Sequence, residues 1–247
     1  MLGEQLKKMD LISLNELAKQ TAIKAGNYLI EQKVEPKKVE SETGRDIKLE
    51  LDRKTEELIR KELQVSNISV QGEELSSKMS ENLRWVVDPI DGTANYFRGL
   101  DQCCVSIALM DAEDSLIGVI FNFNSDELYE AIKGQGAKLN GQNLKVSNID
   151  QKNKASLTTG FPASETIEGS YEFLDDLKAW KKIRMFGSAA LSCAYVASGK
   201  CDYYAEKGVY IWDFAAGICL VKEAGGTVDI SGLEHDRYSV KFSNGLL

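Results

Sequence analysis

The apolar run Trp85-Val86-Val87 leads directly into two aspartates three residues apart, Asp88 and Asp91, and then into Gly92-Thr93-Ala94-Asn95-Tyr96. Pro89, between the aspartates, forces an extended backbone at Asp88, so the pair sits on a stiff turn at a strand end. Two carboxylates held that close cannot both stay charged without a cation. Hard oxygen donors favour magnesium, calcium or manganese. Gly92 lets a ligand approach the backbone. Thr93 adds a hydroxyl and, at a helix start, N–H groups suited to phosphate. Taken alone, Asp88-Pro-Ile-Asp91 also reads as an Asx-type turn.

A chain of 247 residues fits one large domain or two intimate ones. A 43 % apolar and 28 % charged composition is that of an ordinary globular enzyme with an ample core. The net charge of -8, with no block of like charge at either end, argues against a nucleic-acid partner. An acidic protein still takes an anionic substrate if metals reverse the local sign. Cys103, Cys104, Cys193, Cys201 and Cys219 contain no CxxC pair, which removes zinc spacing and a disulfide framework and points to reduced core residues in a cytoplasmic protein. Residues 1–12 are mixed polar rather than a signal peptide, and no apolar run approaches the roughly 18–20 residues of a membrane span.

Ser13-x-x-Glu16 reads as a capping box before an amphipathic helix over about 13–33. Residues 34–45 read as a loop or ragged hairpin, 52–64 as a second helix, 67–71 and 83–88 as strands. Strand-like runs follow at 103–109, 115–122 and 127–131, with a hairpin signal at Asn140-Gly141. After about residue 150 the pattern changes: strands at 156–159, 182–186 and 201–205 and helices near 167–180, 189–198 and 212–224, the last stopped by Gly225-Gly226. The irregular alternation with an antiparallel middle indicates a layered α+β fold. The change near 150 divides it into an N-terminal α+β subdomain, 1–150, carrying most of the acidic sites, and a C-terminal α/β subdomain, 151–247, completing them.

Three acidic sites stand out: Glu73-Glu74 after Gly72, the Asp88/Asp91 pair, and Asp213 in Trp212-Asp-Phe-Ala-Ala-Gly217. Individually each has a plain structural reading: a solvated turn, an Asx turn, and a helix N-cap. Their combination, in this order, with Glu223-Ala-Gly-Gly226 downstream, resembles the inositol monophosphatase family over nearly the whole chain from about residue 13. The Gly-Thr-x-Asn95 form resembles the inositol- and sugar-phosphatase branch more than the nucleotide-phosphatase branch.

The resemblance implies an αβαβα sandwich and a magnesium-dependent phosphomonoesterase with two or three Mg2+ ions. It implies that Glu73, Asp88 and the Ile90 carbonyl hold one ion, that Asp88, Asp91 and Asp213 hold a second, and that a weaker third sits near Glu73. Thr93 and Asp52 would orient the attacking water, and Asp52 reads equally as a helix N-cap. Backbone amides at Asp91, Gly92 and Thr93 would hold phosphate. Gly187, Ser188, Ala189 and Glu206 would contact the alcohol, although Glu206 before Gly208 reads equally as a surface turn. A homodimer and lithium sensitivity are further implications of the family.

Lys48 and Leu49 stand where the family usually has valine and threonine, and Lys33, Lys37 and Lys38 compete for its active-site lysine. The only histidine, His235, lies in a polar turn, which excludes histidine triads. Inositol 1-phosphate is the default substrate. Fructose 1,6-bisphosphate, histidinol phosphate and 3′-phosphoadenosine 5′-phosphate are the alternatives, together with a non-catalytic interaction role on the same fold.

Overall fold

The structure, a computed structural model, describes residues 10–34, 39–43, 46–75, 82–112, 114–161 and 175–247. Helix α1 spans Leu11–Glu31 and buries Leu14, Ala18, Ala22, Ala25 and Leu29 along one stripe. Its cap is Asp10, whose carboxylate accepts from Ser13 N at 2.7 Å. The start thus lies before the expected Ser13 box, because an aspartate one turn earlier satisfies the first free N–H groups. Strands β1 (Val39–Thr43) and β2 (Asp46–Leu49) form an antiparallel hairpin. Helix α2 follows at Glu50–Leu63, so Asp52 is in its first turn and is not its N-cap.

Seven strands form the first sheet: β3 (Ser69–Gly72), β4 (Leu83–Asp91), β5 (Cys104–Asp111), β6 (Asp114–Asn122), β7 (Glu127–Ile132), β8 (Ala137–Leu139) and β9 (Gln142–Asn143), in sequence order. Only β3 and β4 pair in parallel; β4 to β9 are an antiparallel meander. Short helix α3, Thr93–Arg98, follows β4. The β8–β9 turn is Asn140-Gly141, both at positive φ (48° and 79°), as a two-residue hairpin requires.

The second sheet contains β10 (Ser156–Thr159), β11 (Lys182–Arg184), β12 (Tyr203–Val209), β13 (Thr227–Gly232) and β14 (Tyr238–Ser243), in the order β11-β10-β12-β14-β13. Helices α4 (Ala189–Ala197) and α5 (Ile211–Glu223) lie between the two sheets. Side-chain alternation sorts the first sheet's two faces. Trp85, Val87, Val105, Ile107, Val119 and Phe121 join α1 and α2 in one core, whereas Val86, Ala108, Met110 and Ile120 join α4, α5 and the second sheet in another. On the outer side of the second sheet, Leu177 and Trp180 pack with Leu157, Ile183 and Tyr203. The helix expected near 167–180 lies mostly outside the described residues, which show its helical turn at 175–177. The architecture is layered α+β, with helices and sheets alternating. Among the described residues no helix is long and apolar enough to cross a membrane. All five cysteines are buried and free.

Close contact between α5 and the first sheet depends on Gly118. A Cβ there would lie 2.2 Å from the Ala216 carbonyl oxygen, which is backbone and cannot swing away. Gly118→Ala is therefore expected to destabilise the protein by about 2–3 kcal/mol, as overpacking does. Gly232→Ala, where the added methyl meets nothing within 4 Å, is expected to stay within about 0.5 kcal/mol of wild type. Urea unfolding of the two variants checks the contrast.

Candidate active site

Strand β4 continues through Pro89 to Asp91, further than the sequence pattern suggested. Asp88 and Asp91 are buried at its end, and α5 brings Asp213 to them from 122 residues away in sequence. One ligand oxygen from each of Asp88, Asp91 and Asp213 lies within 4.8 Å of the others. Asp213 is in the first turn of α5, not at its cap, and its carboxylate accepts from Tyr210 N at 2.7 Å.

Each carboxylate carries the electrostatic signature of confinement. Burial raises the pKa of Asp88 well above the ordinary range, and the charges of Glu73, Asp91, Asp213 and Asp52 add to the shift. Burial and the Asp91 and Glu73 charges do the same to Asp213. Asp91 is also raised by burial, but Ser188, Ala190 and Ala189 oppose the shift. The Ser188 hydroxyl and Ala190 N (2.8 Å) donate to Asp91 Oδ2, and Ala189 N donates to Oδ1 at 3.2 Å. These groups form the N-terminus of α4, capped by Ser188, where the helix dipole favours negative charge. A hard divalent cation fits this donor set: three converging anionic oxygens, from the buried Asp88 and Asp91 and the half-buried Asp213, with no positively charged partner among the described residues.

Asp52 is buried at the start of α2, 3.1 Å from Thr93 Oγ1, which also lies 2.9 Å from the Ile90 carbonyl oxygen. Asp88 Oδ1 accepts from Ile90 N at 2.9 Å, so the Asx turn and the acidic cluster coexist. Gly92 begins α3 at φ 91°. Gly187, at φ 68°, lies beside Asn95, whose amide donates to the carbonyls of Gln102 and Phe186 at 2.7 Å each. This bridge ties the turn after β4 to the entry of α4.

Glu206 lies on β12 and is not a surface turn. Its carboxylate accepts from the Tyr204 hydroxyl at 3.0 Å, and burial pushes its pKa up to about 7. A Cβ on Gly160 would fall 1.8 Å from Glu206 Oε1, so the missing side chain makes room for the carboxylate. Glu73 follows β3, outside the three-carboxylate group but close enough to raise Asp88. Lys33 is engaged by Asn124; Lys37 and Lys38 lie outside the described residues. Trp85, beside the ligand strand, is fully buried in the core, whereas Trp212 is only partly buried.

The sequence reasoning missed a brace beneath Glu73. Glu56, fully buried on α2, accepts from Glu74 N (2.7 Å), Leu75 N (3.2 Å) and Arg60 Nε (2.7 Å). Arg60 in turn donates to the carbonyls of Val70 (2.8 Å) and Leu75 (2.6 Å). A glutamate on the same helical stripe as Ile59 and Leu63, four residues before an arginine, was the available signal.

Comparison with known proteins agrees with this geometry. Residues 10–238 match the inositol monophosphatase family. Over 225 residues, 88 % of this chain and 82 % of its relative, the sequence is 39 % identical to Nus factor SuhB of Xylella fastidiosa. Over 216 residues, 85 % and 82 % of the two chains, it is 35 % identical to the fructose-1,6-bisphosphatase/inositol-1-monophosphatase of Thermotoga maritima. A solved Thermotoga maritima IMPase superposes with a TM-score of 0.83 at 30 % identity, covering 94 % of this chain and 92 % of that one. A match across most of the chain, on the same fold, places this protein in the inositol monophosphatase family.

Proposed function

We propose that the chain hydrolyses a small phosphomonoester, inositol monophosphate or a similar polyol or sugar phosphate, with Mg2+ as cofactor. The observation that carries this reading is the convergence of Asp88, Asp91 and Asp213 within 4.8 Å, in surroundings that penalise their charge. In the proposed site these carboxylates, with Glu73 and the Ile90 carbonyl, hold two or three Mg2+ ions. When bound, the metal neutralises phosphoryl oxygens, makes a bound water nucleophilic and stabilises the leaving alkoxide. The Thr93 hydroxyl donates its hydrogen bond to Asp52 or to the Ile90 carbonyl, which leaves the lone pairs of Oγ1 to accept from the attacking water. The turn Asp91-Gly92-Thr93 receives the phosphate. Glu206 and the Gly187–Ala189 segment face the alcohol. The Ser188 hydroxyl is already committed to Asp91 and to Leu191 N, so it acts chiefly by holding Asp91.

The subdomain boundary near 150 fits this reading, because Asp213 and Glu206 complete a cluster begun at Asp52 and Asp88. A homodimer in the cytoplasm accompanies it: Leu100 and Met185, each 52 % exposed, flank the Asn95 bridge. Similarity to proteins named Nus factor SuhB favours a second role as an interaction partner, independent of turnover. The net charge of -8 turns that role toward a protein surface rather than a nucleic acid.

Asp213→Asn should lower Mg2+-dependent phosphate release from inositol 1-phosphate by about three orders of magnitude, since metal charge stabilisation is worth several kcal/mol. Full activity in that variant would refute the site. Parallel assays with fructose 1,6-bisphosphate, histidinol phosphate and 3′-phosphoadenosine 5′-phosphate name the substrate.

Metal binding should also appear as stability. At about 100 times its Kd, Mg2+ adds roughly 2.7 kcal/mol, a Tm rise of roughly 5–10 °C for a protein of this size. Asp88→Asn should raise the Tm of metal-free protein and abolish most of the Mg2+ response, read by differential scanning calorimetry.

The pH dependence has a definite sign. Asp88, Asp213 and Glu206 all have folded pKa values above their unfolded ones. The stability they contribute is complete below about pH 4, the unfolded carboxylate range, and is lost as pH rises through the folded values. Metal-free protein should therefore lose stability toward neutral pH, with Glu206 contributing between about 4.3 and its folded value of about 7. Glu206→Gln should flatten that part of the curve in urea titrations.

A further inference from the structure

Strand β12 has an irregularity between its two functional ends. In its pairing with β14, Lys207 faces Ser239 and Val209 faces Tyr238, so Gly208 is an extra residue, a β-bulge with φ 87°. The bulge resets the side-chain alternation. Tyr204 and Val209 consequently share the inner core, with Glu206 turned toward the Tyr204 hydroxyl on the same side. Two residues beyond the bulge, Tyr210 N holds the Asp213 carboxylate at 2.7 Å. One short segment thus fixes Glu206 against Asp213.

A single side chain from elsewhere clamps this segment. Arg237 immediately precedes β14, at the end of a turn closed by Leu233 N donating to the Arg237 carbonyl at 2.7 Å. Its Nη1 donates to the Gly208 carbonyl at 2.6 Å, at the bulge itself. Its guanidinium lies over the Tyr210 ring, 4.6 Å from the centroid, and that ring stacks on Trp212 at 4.8 Å and 15°. Arg237 therefore grips the segment twice, by charge-assisted hydrogen bond and by cation–π contact. Lysine cannot reproduce both, because its ammonium lacks the planar fork.

We propose that Arg237 is a positioning residue: by clamping the Gly208 bulge and the Tyr210–Trp212 stack, it sets Glu206 against Asp213 and so determines how strictly the site selects the alcohol half of its substrate. The inference rests on the proposed roles of Glu206 and Asp213, and the test includes an arm that needs no turnover.

The variants are Arg237→Met and Arg237→Lys, in the full chain. With every variant saturated in Mg2+, Arg237→Met should raise KM for inositol 1-phosphate about tenfold, the effect of one lost polar contact. With ethyl phosphate, which offers no hydroxyls to Glu206, KM should stay within about twofold, because a contact never made cannot be lost. In a Glu206→Gln background Arg237→Met should add little further loss, and Arg237→Lys should lie between wild type and Arg237→Met. Equal losses on both substrates, or full additivity with Glu206→Gln, would show a general structural role and overturn the proposal.

The second arm is Mg2+ titration followed by tryptophan fluorescence, with Trp212→Phe identifying the Trp212 signal. Arg237→Met should shift the Mg2+ midpoint several-fold upward while circular dichroism stays native. An unchanged midpoint and Trp212 signal would also refute the clamp. If wild-type protein hydrolyses none of the phosphomonoesters yet the midpoint shifts, the hydrolase reading fails and the clamp on Asp213 stands.

Discussion

The cost of burying Asp88, Asp91 and Asp213 beside one another is the constraint around which the rest of this structure is arranged. Carboxylates in a buried group raise one another's pKa, and a fold that gathers them must offset that penalty. Local devices reduce it here. The N-terminus of α4 points two N–H groups at Asp91, Tyr210 N at the start of α5 serves Asp213, and Ile90 N serves Asp88. Helix starts and strand ends meet at the site because that is where unpaired backbone donors are available.

The same logic explains the supporting residues. Glu56 is a buried acid satisfied from three directions, so the turn carrying Glu73 is held by backbone donors and not left to solvent. Asn95 fastens the turn after β4 to the entry of α4. Gly160 and Gly208 are effective by what they lack: one leaves space for the Glu206 carboxylate, the other permits the bulge.

Much of this was legible in the sequence, for reasons that differ from part to part. The Asp88–Asn95 element combines strand, turn and chemistry in a local pattern, so its place was readable without tertiary information. The strand-like runs of β5 to β7 and the Asn140-Gly141 turn are likewise local. The start of α1 was misplaced because Ser13 and Asp10 are both competent caps and only the folded backbone chooses. Asp213 looked like an N-cap because a helix start and a metal ligand favour the same residue type. The Ser188 bond to Asp91 and the bulge at Gly208 depend on partners distant in sequence or on strand register. Periodicity carries no trace of them.

Helix α5 serves as a wall shared by the two sheets, and this has a consequence for the order in which the chain is made. The inner face of the first sheet, including Val86, Ala108 and Ile120, is covered by a helix that begins only at Ile211. A nascent chain can pair β4 to β9 long before α5 leaves the ribosome, and the sheet then exposes one apolar face. Such a partly built sheet is prone to aggregation. Biosynthesis of this protein therefore passes through a vulnerable interval that ends only when α5 arrives.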